Sequence, residues 1–219
     1  MNEVIVRRPD ATPDRVTTRS RHLGWGNRVR CALDDGEGLR GAMTVTDGAG
    51  GQAAPTSEAR VLVYPSATLR PIPSFVFAAP AGWVIDEVPD ALAVVRTPEQ
   101  VADFWVNATL SHDRVGKAVD LEAAAKATWA RIQRDSPDAK LSMERMARFG
   151  QNIVYLRGLE LNAPQSGRAL AQLQALLFAP PVETAKTADF FQIICTSPAE
   201  QMPAFGPVFV ALISSFQFA

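Results

Sequence analysis

Between residues 75 and 218 apolar residues recur first at every second position and then at helical spacing, and the switches between these periods divide the chain into elements. Phe75-Val76-Phe77 and Trp83-Val84-Ile85, separated by Pro80-Ala81-Gly82, predict two strands around a turn, and Leu92 to Val95 predicts a third. Phe104, Val106, Ala108 and Leu110 alternate with Trp105, Asn107 and Thr109, the period of a strand with one face turned inward. Leu121, Ala125, Trp129 and Ile132 line one helical face instead. Asp120 is placed to cap that helix, Glu122 puts negative charge in its first turn, and Ser136-Pro137 stops it, giving a span of about 120 to 135.

Strand-like segments then run from Leu141 to Ala147, Ile153 to Leu161, Leu170 to Phe178 and Asp189 to Thr196. Phe149-Gly150-Gln151-Asn152 and Pro164-Gln165-Ser166-Gly167 are the turns between them. The Leu170 segment also fits a helix, because Leu170, Leu173, Leu176 and Leu177 share a helical face. Phe205, Val208, Phe209, Leu212, Ile213 and Phe216 form the closing stripe, at i, i+3, i+4, i+7, i+8 and i+11. Ser197-Pro198-Ala199-Glu200 has the form of a capping box with Pro at the first helical position, so a helix is expected to begin there. Pro203 and Pro207 each remove a backbone bond, which costs about 3 kcal/mol in a helix interior and narrows the regular part to about 203 or 207 to 215. The resulting fold class is α+β, a mostly antiparallel sheet packed by two helices.

Residues 1–60 mix Arg, Asp, Gly, Pro and Thr with no sustained period, and Gly48 to Pro55 reads as a linker. The division expected is an irregular region over 1–60 and one domain over 61–219, in which Val61-Leu62-Val63-Tyr64 either forms a short strand paired with the rest of the domain or packs along its edge. Met43 offers an alternative start, making residues 1–42 a candidate over-extension.

Composition adds exclusions. The 219 residues are 47% hydrophobic and 21% charged with formal charge −1, which suits a soluble globular chain and gives no basic footprint for nucleic acid. Eighteen of the basic residues are Arg and four are Lys, a bias that high-GC coding explains. Two cysteines, Cys31 and Cys195, exclude a disulfide framework or an all-cysteine metal site, and Cys195, following Phe190, Phe191, Ile193 and Ile194, reads as a buried structural thiol. Met1 to Asp10 lacks the apolar core of a signal peptide, no lipidation Cys follows an apolar leader, and no eighteen consecutive apolar residues occur. A cytoplasmic location with no transmembrane segment is therefore expected.

The motifs that carry chemistry are sparse. Gly36-Glu37-Gly38-Leu39-Arg40-Gly41 spells a dinucleotide fingerprint, but no strand precedes it and Thr44-Val45-Thr46-Asp47-Gly48 follows where a helix should begin. His112-Asp113, placed just after a strand, and His22 give no metal-ligand spacing and read as solvent-facing. No G-x-S-x-G elbow supports a hydrolase, and Asn107-Ala108-Thr109 is a glycosylation sequon in spelling only. No catalytic residue, metal or cofactor is expected. Trp83, Trp105 and Trp129 sit in patterned elements as core residues. The candidate binding face consists of Asn107, Thr109, Arg157, Gln172, Gln174 and Gln192, with Trp105 and Tyr155 supplying aromatic area. Its bland alternative is the wet face of an antiparallel sheet, and a helix covering each side of the sheet would close it.

The block "FVFAAPAGW" from Phe75 to Trp83, the junction "DFFQIICTSPAEQ" from Asp189 to Gln201 and the closing "SSFQF" give an element order that resembles the Mog1/PsbP-like fold. Within it the chain looks most like the actinobacterial LpqN/LpqT family, and more distantly like DcrB and Eag-type chaperones. The resemblance excludes the first 70 residues. It implies a binding or assembly factor, with no catalytic residue to carry over: a protein-binding adaptor or chaperone-like module, alternatively a carrier of an apolar small molecule or lipid. A hydrolase with dispersed residues, requiring His112 beside an acid and a nucleophile, is the third reading.

Overall fold

The computed structural model describes residues 65–66, 69–164 and 166–219. Val61 to Tyr64, Cys31, His22, Trp25, Met43 and the Gly36 to Gly41 pattern lie outside the described residues. In chain order the elements are β1 (Phe75–Val76), β2 (Val84–Asp86), β3 (Ala93–Arg96), β4 (Asn107–Gly116), α1 (Leu121–Asp135), β5 (Lys140–Phe149), β6 (Asn152–Asn162), β7 (Ala169–Phe178), β8 (Thr187–Pro198), α2 (Met202–Ser214) and β9 (Gln217–Phe218). Strands β2 to β8 form one antiparallel sheet in the order β2-β3-β4-β8-β7-β6-β5.

The expected turn between the Phe75 and Trp83 blocks does not make them partners. β1 pairs with β9, whereas β2 pairs with β3. Phe75 packs against Phe191 and Phe216, so burial of aromatic area draws β1 to the end of the chain rather than to its sequence neighbour. The ambiguous Leu170 segment is strand β7, because β6 and β8 pair with its two edges while α1 and α2 cover its two faces. Leucines on both faces of such a strand imitate a helical stripe.

Asp120 caps α1 as expected, its Oδ1 accepting from the Ala123 N–H at 2.7 Å, and Ser136 ends the helix by donating its N–H to the Ile132 carbonyl. Ala124 and Ala125 let α1 lie close to the sheet over Leu176 and Phe190, while Trp129 and Ile132 cover Leu159, Leu161 and Leu170. On the opposite face, Phe209, Leu212 and Ile213 of α2 are buried with Ala108, Leu110, Leu156 and Ile193. Each such large side chain contributes about 1.5–3 kcal/mol by leaving water.

Two features of this closing segment differ from the spacing argument. Ser197 is no helix cap: β8 runs on to Pro198, and the Ser197 hydroxyl donates to the Pro198 carbonyl. A short 3-10 turn, Ala199–Gln201, follows without a side-chain cap. α2 begins at Met202 with Pro203 in its first turn and carries Pro207 inside it. Pro207 is exposed, so the one carbonyl it leaves unpaired is placed beside water. Phe216 lies beyond the end of α2, although it remains buried.

β5 and β6 are joined through a tight turn with Phe149 opposite Asn152 and Gly150 at φ 58°, a conformation that favours glycine. Near the other end a bulge between Leu141 and Met143 shifts the register opposite Gly158. A Cβ on Gly158 would stand 2.6 Å from Ser142 Oγ and 2.7 Å from Met143 Cγ, both close to their own backbone. Gly158→Ala is therefore expected to cost about 1–3 kcal/mol by overpacking, read as a lower urea midpoint at unchanged slope.

Candidate functional site

The β-sheet register settles which predicted side chains share a face. Asn107 is opposite Thr196, which is opposite Gln172; Thr109 is opposite Ile194, then Gln174, then Arg157; Ser111 is opposite Gln192, then Leu176, then Tyr155. Directly opposed residues in an antiparallel ladder point the same way, so all of these lie on the α1 face. The register also places Arg96 beside Asn107 on that face.

α1 divides this face into two parts. Over β6 and β7 the face is closed. Arg157 is 1% exposed; its Nη1 donates to the Ala125 carbonyl at 2.9 Å, and its Nη2 donates to Thr128 Oγ1 at 3.1 Å and to Gln174 Oε1 at 2.7 Å. Gln174 in turn donates to Gln172 Oε1 at 2.6 Å. Burial pushes the Arg157 guanidinium down to about 10, with the Tyr155 and Glu144 charges drawing it back up, so it remains a cation at neutral pH. Arg157, Gln172 and Gln174 thus form a satisfied internal network that ties α1 to the sheet, and they are not part of an open surface. Tyr155 lies at the outer margin, donating its hydroxyl to Glu144 Oε2 at 2.5 Å; burial, then that bond and the Glu144 charge, push its hydroxyl up to about 12.

Over β4 and the Gln192 to Ile194 part of β8 the face is half-buried, and Trp105, Asn107, Thr109, Ser111, Gln192 and Ile194 line it. A turn through Val101–Phe104, with Ala102 at φ 48° and Asp103 at φ 56°, directs Phe104 into the core and leaves Trp105 beside this area. The Arg96 guanidinium lies 4.3 Å from the Trp105 ring centre and also donates to Asp86 Oδ2 at 2.5 Å. The Asn107 side chain donates to the Trp105 carbonyl at 2.8 Å. An aromatic plane, a paired guanidinium and a row of amide and hydroxyl groups suit orientation of a polar backbone rather than bond-making chemistry. Ile194, Ser111 and Arg96 were not singled out from sequence. The alternation of Gln192, Ile194 and Thr196 along β8 was the available signal.

His112 is corrected in position. It belongs to β4, which continues to Gly116 because β8 extends opposite it, and its ring packs 4.9 Å from that of Phe191. Its Nε2 lies 2.9 Å from Asp189 Oδ1, which also accepts from Arg114 Nε at 2.9 Å, while Arg70 Nη1 lies 3.1 Å from Asp189 Oδ2. Burial would raise the Asp189 carboxyl, but bonds from Arg114 and His112 and the charges of Arg70 and Arg114 outweigh it and hold the group below the usual carboxylate range. Among the described residues no hydroxyl or thiol hydrogen-bonds His112, so the nucleophile needed for a hydrolase is not beside it. Cys195 is fully buried, and burial pushes its thiol up. Among the described residues there is no cluster of three or more potential metal ligands, and no helix is long and apolar enough to cross a membrane.

Two open depressions of about 280 and 300 Å³ flank β5 rather than the polar face. Glu122, Lys126, Glu144, Arg145, Met146 and Tyr155 line the first, and Met146, Ala147, Arg148 and Ile153 the second.

A mostly antiparallel sheet with one helix on each face is the Mog1/PsbP-like α+β fold that the sequence resembles. The structure is similar to LpqN of Mycobacterium tuberculosis, a protein involved in cell envelope biogenesis, with TM-score 0.56 and 10% identity over 67% of this chain and 84% of that one. It is also similar to the cyanobacterial PsbP of Synechocystis (TM-score 0.48, 13% identity, 67% and 87% covered). A further similarity is to the Ran-binding protein Mog1p of Saccharomyces cerevisiae (TM-score 0.41, 13% identity, 66% and 90% covered). No protein-family model and no curated protein match the chain in sequence.

Proposed function

We propose that the chain is a non-enzymatic protein-binding module, adaptor or chaperone-like, that receives a polar or extended segment of its partner on the uncovered part of the α1 face. The observation that carries this reading is the incomplete cover of that face by the described residues. α1 closes it over Arg157, Gln172 and Gln174, while Trp105, Asn107, Thr109 and Gln192 stay half-buried. Aromatic area beside amides that fix orientation is the composition of a recognition surface. A second reading, in which an apolar or lipid-like molecule is carried, would suit a role in cell envelope biogenesis such as that of LpqN. That reading asks for an enclosed apolar space, and both depressions beside β5 are open and bordered by charged residues.

The test is in-cell crosslinking of the tagged full chain in its native host, followed by affinity measurement with any reproducible partner. Thr109→Arg and Gln192→Arg are expected to weaken that partner at least about tenfold with an unchanged unfolding midpoint. Val210→Arg, on the exposed side of α2, should retain it. Equal binding by all three variants would refute the assignment of the face, and the absence of any reproducible protein partner would refute the module itself.

A further inference from the structure

The two edges of the large sheet are treated differently. At one end β2 has three residues, and Asp86 at its terminus is paired with Arg96. At the other, β5 has ten residues, pairs only with β6 among the described residues, contains no proline and exposes Leu141, Met143 and Met146. Ile153, on the adjoining strand, is exposed as well. After the bulge the strand is regular from Met143 to Phe149. A long edge with apolar side chains and a free row of N–H and C=O groups is a template for another strand.

The sequence of this edge selects its occupant. A two-fold axis perpendicular to the sheet keeps each side chain on its own face, so antiparallel pairing of two copies must centre on a residue, not between residues. Centring on Arg145 sets Arg145 against itself. Centring on Glu144 sets Glu144 against itself. Centring on Met146 brings Met146 against Met146 and Glu144 against Arg148 twice on the α1 face, and Met143 against Phe149 twice on the other. Among these three registers it alone combines opposite charges with apolar pairs, and Tyr155 already holds Glu144 by its hydrogen bond.

We infer that β5 is a self-association edge, at which two copies of this chain pair antiparallel about Met146 and join their sheets. Exposed Met143 and Met146 become covered, and the depression between α1 and β5 becomes part of a trough between the two α1 helices. This edge is separate from the uncovered part of the α1 face, so either proposal can fail without the other.

Sedimentation equilibrium and native mass spectrometry of the full chain test it. The wild type is expected to dimerise, and Glu144→Arg and Arg148→Glu, each creating two like-charge pairs, should each weaken the dimer at least about tenfold. The double variant Glu144→Arg/Arg148→Glu restores both pairs with their signs exchanged and should return the dimer to within about threefold of wild type. It lacks the Tyr155 bond just as the single Glu144→Arg variant does, so its recovery reads the pairing between copies alone. In a Cys31→Ser background, Met146→Cys should oxidise to a covalent dimer, because directly opposed residues bring their Cα atoms within disulfide reach. A monomeric wild type, a dimer indifferent to the single variants, or a double variant that stays monomeric would each overturn the proposal.

Discussion

Arg157→Ala is expected to lower stability by about 3–5 kcal/mol, a large part of what holds a domain of this size. Two losses add. The guanidinium and its stem fill the space beneath α1, and Ala leaves that space empty beside Ala125, Thr128 and Trp129. The change also leaves Gln174 Oε1 without the donors at 2.7 and 3.2 Å that satisfy it. Because the cation is buried and no carboxylate pairs with it among the described residues, the charge itself is a cost. Arg157→Met combined with Gln174→Leu removes charge and acceptor together while keeping volume. It should therefore lose clearly less than Arg157→Ala, by less than about 2 kcal/mol from wild type. Urea unfolding of the three proteins checks this, and a double variant as unstable as the alanine variant would show that the network contributes more than packing.

Asp189→Asn should be the second large effect, about 3 kcal/mol at neutral pH, since it leaves Arg70 and Arg114 converging on a neutral side chain that is itself buried. The pH dependence has a definite sign. The folded carboxyl is held below its ordinary value near 3.8, so its ionised form stabilises the fold fully above that value, and the contribution disappears as pH falls through the lower folded one. The gap between wild type and Asp189→Asn should accordingly stay constant from pH 7 to about pH 5 and close below about pH 4. Unfolding midpoints across that range measure it; a gap that widened on acidification would contradict the role given to Asp189.

Local chemistry made much of this structure readable. The Asp120 cap and the Ala125-Trp129-Ile132 face specify α1, and the alternation from Phe104 to Leu110 specifies the start of β4. What was not readable depended on partners distant in sequence. β4 continues past Leu110 into His112 and Arg114 because β8 lies opposite, and no local pattern in Ser111-His112-Asp113-Arg114 announces that. Asp189 gathers residues from positions 70, 112 and 114, so its place in the charge cluster follows from the register of β4 against β8 and from the segment before β1 that brings Arg70 beside Thr187. Ser197-Pro198-Ala199-Glu200 misled for the same reason: central strand β8 recruits Ser197 and Pro198 into pairing with β7 before a helix can start. The shared face of Asn107, Thr109, Arg157, Gln172, Gln174 and Gln192 was legible from period two, but the position of α1 over only half of it was not.

The two-residue ladder of β1 and β9, extended by the Ala219 N–H donating to the Ser74 carbonyl, joins parts of the chain at opposite ends of the described domain. Such a closure has a mechanical consequence. A pulling force applied at Ser74 and Ala219 meets the ladder end-on, so its few bonds open one after another instead of sharing the load. The fold therefore yields first at this clasp, uncovering Phe75, Phe216 and Phe218 while the seven-stranded sheet still holds.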